Sequence, residues 1–288
     1  MTALVRQMTE DLRVVAAELR PPRRTLGTSA GMDAWIDTYH AVRGITRHDR
    51  FVFLTDSAVG SEEEDNLRHL VANLGSDVPR DHIVPFLTTK HAREYCLSYA
   101  DRAVEQGFST LVVLGGDRRV GHPRCVEHAW QLRQLVRERQ PSLALGGWAN
   151  PTADPERQAA YLTDAHFSAE FFLTQIVSHH SAGPVERFLR EAERQGVRMP
   201  GMFGVFYYRS ANAKTLATLA DFIPVPADAL TQEFASGASA EEICARTIRA
   251  LADLGVRHFY VSNLPVSRAQ ATLRDILALV HAPSPASA

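Results

Sequence analysis

The stretch Leu-Val-Val-Leu-Gly-Gly-Asp, residues 111–117, runs from four apolar residues through two glycines to a single acid. A continuous apolar run is typical of a strand that is covered on both faces, as in a parallel sheet. The glycines remove side chains where another backbone or a ligand comes close. We therefore predict a buried strand that ends by presenting the Asp117 carboxylate, either to the next helix as a cap or to a ligand.

Seven further runs of apolar, β-branched or aromatic residues have the same character. With the first, they cover residues 14–19, 50–56, 82–89, 110–117, 142–150, 171–178, 202–208 and 257–264. Helical patterns lie between them at 62–75, 92–107, 126–139, 184–196 and 240–255, and several end in glycine, the usual helix stop. Strand and helix alternate about every thirty residues, which indicates a parallel sheet. Eight such units in 288 residues predict an α/β fold, a single (β/α)8 TIM barrel.

Three segments fall outside this alternation. Residues 1–12 are expected to form an N-terminal helical extension of the one domain, which spans residues 1–288. The gap at 209–256 is too long for one helix, so we predict an extra helical segment before the last strand. Residues 281–288 are expected to be a frayed tail.

The composition excludes several classes of protein. A net charge of −2 shows no basic excess of the kind that a nucleic-acid binder carries. No run approaches the ~18 apolar residues that a membrane span requires. The N-terminus carries charges throughout and lacks the apolar core of a signal peptide, so we expect a cytoplasmic protein. The three cysteines are far apart and are expected to be small buried residues rather than a disulfide framework or a zinc site.

Polar residues follow the predicted strands at their carboxyl ends. In a barrel of this type the active site lies at that end, because the loops there surround one opening. The polar strand-end residues are Glu18, Thr55, Asp56, Thr88, Asp117, Asn150, Gln175, Tyr207 and Asn263. The sequence therefore predicts a site at this rim.

Two acids and an amide carry the chemistry of this rim. Partial burial and a nearby carboxylate can raise the pKa of an acid such as Glu18 or Asp117 into the range of a proton donor. Gln175 offers both a donor and an acceptor, which suits the amide edge of a flat heterocycle. Aromatic residues near the rim could stack on such a ring or pack in the core; they are Phe86, Trp148, Phe206, Tyr207, Tyr208, Phe259 and Tyr260.

Two further patterns are weaker. His179 and His180 are adjacent, and neighbours on a strand point to opposite faces, so we expect no metal site there. Arg20, Arg23 and Arg24 surround a Pro-Pro turn, either as a solvated loop or as a clamp on an anionic ligand, and the sequence does not decide between the two.

Six short motifs, in order, resemble those of methylenetetrahydrofolate reductases, and the resemblance covers most of the chain. They are Glu-Leu-Arg-Pro-Pro from Glu18, Leu-Thr-Asp-Ser-Ala-Val-Gly-Ser at 54–61, Phe-Leu-Thr-Thr at 86–89, Leu-Gly-Gly-Asp at 114–117, Ala-Glu-Phe-Phe-Leu-Thr-Gln at 169–175 and His-Phe-Tyr-Val-Ser-Asn at 258–263. The resemblance implies reduction of 5,10-methylenetetrahydrofolate to 5-methyltetrahydrofolate by a reduced nicotinamide. It implies that Glu18 protonates N10, that Asp117 and Gln175 hold the pterin, and that Asp117 favours the developing cation. Tyr207 is added as a substrate-binding residue at the rim.

The departures from the family concern its usual flavin. In the aligned motifs, Phe86 stands where the family has a histidine, and Gly115 stands where it has an arginine. Asp164 aligns with a family lysine that faces the flavin phosphates. The flavin enzymes' tyrosine-proline-glutamate segment is replaced around Trp148, which adds bulk. We therefore expect direct hydride transfer from NADH, with NADPH not excluded and FAD doubtful. The nicotinamide would occupy roughly the flavin's place, near Thr55, Phe86, Thr88, Gly116, Trp148 and Asn150.

Three alternatives remain open at this point. The chain could keep FAD through compensating contacts, or be a non-catalytic folate-binding barrel, for example a partner subunit. An aldolase-like barrel is disfavoured because neither lysine, Lys90 nor Lys214, ends a predicted strand. The oligomeric state and any preference for polyglutamylated folate are not encoded in a readable pattern.

Overall fold

The computed structural model describes residues 1–23, 25–56, 74–75 and 78–282. Eight parallel strands close into one barrel in sequential order, with the first strand paired to the last. The strands are β1 (Val15–Leu19), β2 (Val52–Leu54), β3 (Ile83–Thr88), β4 (Thr110–Leu114), β5 (Ala144–Ala149), β6 (Phe171–Val177), β7 (Gly201–Phe206) and β8 (His258–Ser262). Each lies within one of the eight predicted runs or extends it by one residue, and the predicted (β/α)8 barrel is confirmed.

Helices surround the strands. They are α1 (Ala3–Thr9), α2 (Thr28–Thr46), α3 (Arg93–Glu105), α4 (Ala129–Arg139), α5 (Pro155–Thr163), α6 (Ala182–Arg194), α7 (Ala213–Ala220), α8 (Ala227–Ala235), α9 (Ala240–Asp253) and α10 (Ala269–His281). Short 3-10 turns precede β3, α6 and α10, at Arg80–His82, His179–Ser181 and Val266–Arg268. Among the described residues, no helix is both long and apolar enough to cross a bilayer.

The described helices match four of the predicted helical patterns. Helices α7 and α8 form the extra segment that was expected before the last strand. The predicted helix at 62–75 lies outside the described residues apart from positions 74–75, as do the loop at 57–60, Arg24 and residues 283–288 of the expected tail.

The apolar residues form an inner and an outer core. The inner core fills the barrel with alternate strand residues such as Ala16, Phe53, Val112 and Tyr260. The outer core lies between the strands and the helices and contains the intervening residues, for example Ala17. A strand covered on both faces must be apolar at successive positions, which is why the eight runs lack alternation.

Helix α1 closes one end of the barrel. Its buried residues Leu4, Val5 and Met8 belong to the inner core, together with Phe51 and Ala144 at the starts of β2 and β5. The N-terminal end of the barrel is therefore plugged, and the opposite end holds the carboxyl ends of the strands.

Candidate active site at the barrel mouth

The inward alternation of each strand decides which residues reach the open end. On β1 the inner-core residue Ala16 is followed two positions later by Glu18, and on β8 Tyr260 is followed by Ser262. Side chains two apart on a strand share a face, so Glu18 and Ser262 line the mouth one layer above the inner core. Trp148 and Phe206 pack against the inner core at the ends of β5 and β7.

Glu18 is a carboxyl group in largely apolar surroundings. Ser262 Oγ donates a hydrogen bond of 2.6 Å to Glu18 Oε1. Burial raises the pKa of Glu18 above its ordinary value, while the Ser262 hydrogen bond and the charge of Arg20 oppose that rise. A carboxyl group with a raised pKa can hold and donate a proton near neutral pH. The structure thus places one of the three arginines of the Pro-Pro turn, Arg20, close enough to influence this acid.

Asp117 differs from Glu18 in that its surroundings favour the ionised carboxylate. Gly116 adopts a left-handed φ of 69°, which turns the chain so that Asp117 follows β4 at the rim. Arg119 donates to Asp117 from its backbone N–H (2.8 Å to Oδ1) and from Nη2 (3.1 Å to Oδ2). The side-chain and backbone hydrogen bonds from Arg119 lower the pKa of Asp117, so this carboxylate is ionised. The expectation that either acid could act as a raised-pKa donor therefore fits Glu18 and is wrong for Asp117.

Gln175 sits where β6 and β7 change register, between Leu173 and Ile176. Its Oε1 accepts a hydrogen bond of 2.9 Å from the backbone N–H of Ile176, and its Nε2 lies 3.4 Å from the carbonyl oxygen of Phe222. The Gln175 side chain is partly exposed. The Tyr260 hydroxyl donates to the carbonyl of the preceding residue, Thr174.

The segment between α7 and α8 reaches over the mouth. Ile223 packs against the inner core, and the carbonyl of Phe222 accepts the hydrogen bond from Gln175 Nε2. Arg119 Nη2 donates to the carbonyl of Asp221 at 3.1 Å. The inserted segment thus touches both Gln175 and the Asp117–Arg119 pair, which shows that these residues surround one opening.

Three predicted site residues have other positions. Tyr207 points out of the barrel and packs in the outer core, because the inward positions of β7 are Phe206 and every second residue before it. The Tyr207 hydroxyl donates to Glu241 Oε1 on α9 at 2.6 Å. Phe86 is 3% exposed and belongs to the inner core beneath the mouth, against Phe53. The Asn150 Oδ1 accepts from the N–H and hydroxyl of Thr152, so it closes a local turn.

The predicted residues at the ends of β2 and β3 form a buried polar cluster. Thr88 is fully buried and donates from its N–H (2.7 Å) and its hydroxyl (2.8 Å) to Asp56 Oδ2. His91 Nε2 lies 2.8 Å from both oxygens of Asp56. Thr55 is also buried. The side chain of Asp56 is 13% exposed and that of His91 is 29% exposed, so Asp56 lies between the buried Thr88, which orients it, and the more exposed His91.

Sequence reasoning missed Arg124 and the role of Lys90. The guanidinium of Arg124 lies against Gly115, where an added Cβ would be 2.7 Å from Cζ, and Nη2 donates to the carbonyl of Gly116. Lys90 Nζ is buried and donates to the carbonyls of Val120 (2.7 Å) and His122 (2.9 Å). Both cations hold the loop that follows β4. The glycine pair before an arginine-rich loop was the sequence signal for this arrangement.

The expectation that His179 and His180 diverge is wrong. They lie on a 3-10 turn after β6, not on a strand, and their ring centroids are 3.9 Å apart. Both rings face Glu233 on α8. Burial and the neighbouring His180 lower the pKa of His179, so its imidazole is neutral at pH 7.

Comparison with known proteins supports the fold over the whole chain. No protein-family model matches the sequence, and no curated protein matches it. One similar solved structure is an uncharacterised protein from Clostridium thermocellum described as binding two copies of 5-methyl-5,6,7,8-tetrahydrofolic acid. It is 15% identical, with a TM-score of 0.69 over 96% of each chain. A second, from Aquifex aeolicus VF5, is 11% identical, with a TM-score of 0.55 over 97% of this chain and 96% of its own. At these identities the likeness is one of fold.

Proposed function

We propose that this protein reduces 5,10-methylenetetrahydrofolate to 5-methyltetrahydrofolate by direct hydride transfer from NADH. The observation that carries the proposal is Glu18, a carboxyl group with a raised pKa, held by Ser262 one layer above the apolar inner core. The motifs shared with methylenetetrahydrofolate reductases give this acid a substrate. The fold is also that of a protein described as binding 5-methyl-5,6,7,8-tetrahydrofolic acid.

The reaction needs one proton and one hydride. Glu18 donates its proton to N10, the bond from N10 to the one-carbon bridge breaks, and the bridge becomes an iminium on N5. Hydride from C4 of NADH adds to that carbon, which gives the N5-methyl group and NAD⁺. The resulting Glu18 carboxylate is reprotonated from solvent before the next turnover.

Asp117 and Gln175 have complementary roles in this proposal. The ionised Asp117 stabilises the positive charge that develops on the pterin as the ring opens. Gln175 contributes one amide donor and one acceptor to the edge of the pterin. Both now contact the inserted segment at Asp221 and Phe222, directly or through Arg119, so the substrate would displace these contacts.

The contacts expected for FAD fit poorly. The guanidinium of Arg124 fills the space beside Gly115 into which the family's arginine would extend, so that arginine would have to displace it. Asp164 accepts from the N–H of His166 at 2.7 Å and from its ring at 2.9 Å, and these bonds lower the pKa of Asp164 and keep it charged. The resemblance aligns this acid with a phosphate-facing lysine, where its charge would repel a pyrophosphate. These features favour a nicotinamide without a flavin.

The first experiment is NADH oxidation by flavin-stripped protein on addition of methylenetetrahydrofolate. We expect turnover in buffer without flavin, reduced about 10²- to 10⁴-fold in Glu18→Gln with folate affinity retained. Stoichiometric FAD in protein purified without added cofactor, or turnover that returns only with FAD, would contradict direct transfer.

Two alternative functions differ from this proposal in what the assay would show or in the residues that favour them. A flavin enzyme is favoured by Arg124, whose guanidinium beside Gly115 is a candidate compensating cation. A non-catalytic folate binder would bind folate and would not oxidise NADH, either without FAD or with FAD added. In that case Glu18→Gln would have no activity to lose.

A further inference from the structure

Two histidines and a glutamate converge on one point outside the barrel mouth. His179 Nε2 lies 3.1 Å from Glu233 Oε1, and His180 Nε2 lies 3.3 Å from Glu233 Oε2. The three ligand atoms all lie within 4.8 Å of one another. Glu233 has a side chain only 11% exposed, so this is a recessed cluster between the end of β6 and the helices α8 and α9.

The three ligand atoms are close enough together to share one ion, with each imidazole nitrogen facing a different oxygen of Glu233. Zinc binds histidine nitrogen and carboxylate oxygen at about 2.0–2.2 Å, which places neighbouring ligand atoms of a tetrahedron about 3.3–3.5 Å apart. The two observed nitrogen-to-oxygen separations, 3.1 and 3.3 Å, are close to this spacing. Two imidazoles and a carboxylate are also a donor set that zinc uses in proteins, with water in the fourth position.

A second contact orients the first histidine. His179 Nδ1 lies 2.8 Å from the hydroxyl of Thr247 on α9. When Nδ1 carries the proton and donates to Thr247, Nε2 presents its lone pair to the centre of the cluster. Hydrogen bonds of this type to the distal nitrogen hold metal-binding histidines in proteins.

Arg246 also contacts Glu233 and is compatible with an ion. It approaches Oε1, and its side chain is 47% exposed and extends to solvent. A carboxylate has about four lone-pair sites, so Glu233 can bind an ion and a guanidinium together. Without an ion, the same geometry requires an Nε2–H on each histidine directed at the carboxylate.

We propose that His179 Nε2, His180 Nε2 and the Glu233 carboxylate bind one divalent cation of the zinc class. The ion would join α8, in the inserted segment, to the end of β6 and to α9 through Thr247. This segment is the one that reaches over the mouth at Asp221 and Phe222. The proposal stands independently of the folate reaction, because none of its residues lies among those assigned to the substrate.

Zinc titration of tag-free protein against a chromophoric chelator tests the site. We expect one zinc per chain, a higher melting temperature on zinc addition, and loss of this binding in His180→Ala and Glu233→Gln. Thr247→Val should keep the stoichiometry and weaken affinity about 10- to 100-fold, because it removes only the orienting contact. His166→Ala is the matched control, since His166 pairs with Asp164 at the surface at 2.9 Å and belongs to no group of three candidate ligands among the described residues.

A measurement on the unaltered protein covers the case in which a variant fails to fold. Cobalt substitution should give the intense visible absorption of a four-coordinate ion. A six-coordinate cobalt spectrum, no stoichiometric zinc at micromolar concentration, or zinc binding unchanged in both His180→Ala and Glu233→Gln would overturn the proposal.

Discussion

Ser262 and Glu18 meet across the seam at which the last strand joins the first, through a hydrogen bond of 2.6 Å between residues 244 positions apart. The bond stabilises the ionised carboxylate and so opposes the effect of burial on the pKa of Glu18. The proton affinity of the proposed acid is therefore set jointly by the first and last strands of the barrel.

Ser262→Ala should shift the pH dependence of turnover. The Ser262 hydrogen bond lowers the pKa of Glu18, so its removal raises that pKa further. A general acid loses activity above its pKa, and the alkaline limb of kcat should move to higher pH. The pH–rate profile measures this shift. Ser109→Ala is the control, because Ser109 precedes β4 at the opposite end of the barrel. This variant should leave the alkaline limb of kcat unchanged.

Glu18→Gln should stabilise the fold at high pH. Because the folded-state pKa is raised, the contribution of Glu18 to stability is fully present below its ordinary pKa of 4.5 and is lost as pH rises through the folded-state value. Above that value the wild type carries a buried charge that the variant lacks. The variant should therefore gain stability relative to wild type as pH rises, by about 1.4 kcal/mol per unit of pKa shift. Urea unfolding at pH 4 and pH 8 checks this; an unchanged difference between the two would contradict it.

Arg119→Ala should free Asp117 for substrate. Arg119 is 75% exposed and holds both Asp117 and the Asp221 carbonyl, so substrate must break these contacts to reach the carboxylate. An exposed pair of this kind is weak because solvent screens it, so folate affinity should rise by no more than about fivefold. Isothermal titration measures it. A fall in affinity would mean that Arg119 itself contacts the folate.

Gly116→Ala should destabilise the protein by about 1–2 kcal/mol, because an alanine at a φ of 69° is strained. It should also raise KM by displacing Asp117. Gly31→Ala is the matched control: Gly31 lies in α2, and its added Cβ would meet only Leu26 at 4.0 Å. That variant should match or exceed wild type in urea. Equal midpoints of urea unfolding for Gly116→Ala and Gly31→Ala would show that the turn at Gly116 tolerates a side chain.

Tyr207→Phe and Phe206→Leu should separate the two faces of β7. The Tyr207 hydroxyl donates to Glu241, so its loss should cost about 1 kcal/mol of stability and leave folate affinity unchanged. Phe206 packs at the mouth, and its replacement should weaken folate binding. Unfolding curves and folate titrations on both variants test the assignment. The opposite pattern would return Tyr207 to the site.

The strands were predictable because each is apolar over successive residues, a pattern that depends on local composition alone. The helix α2 was not. It contains Gly31 and Gly44 and several threonines, which are weak helix formers, and the hydroxyls of Thr38 and Thr46 bond to carbonyls one turn earlier. Its stability comes from packing against the barrel, which no local pattern reports.

The site was predictable to the level of strand ends and no further. Glu18 stands out as an acid in an apolar run, and its burial raises its pKa, while its catalytic role stays a prediction. Whether Tyr207 or Phe206 faces inward depends on the register of β7, which is set by pairing with distant strands. The ionised state of Asp117 depends on a turn that brings Arg119 back onto it, and the convergence of His179 with Glu233 joins residues 54 positions apart.

The closing of β8 against β1 also has a consequence for biosynthesis. The environment of Glu18 requires Ser262, which is synthesised 244 residues later, so a nascent chain has the acid without its partner until β8 has been made. Contacts over such a separation form slowly. Recovery of the Glu18 titration during refolding would therefore report completion of the barrel, and the chemistry at the mouth would begin only in chains that have finished folding.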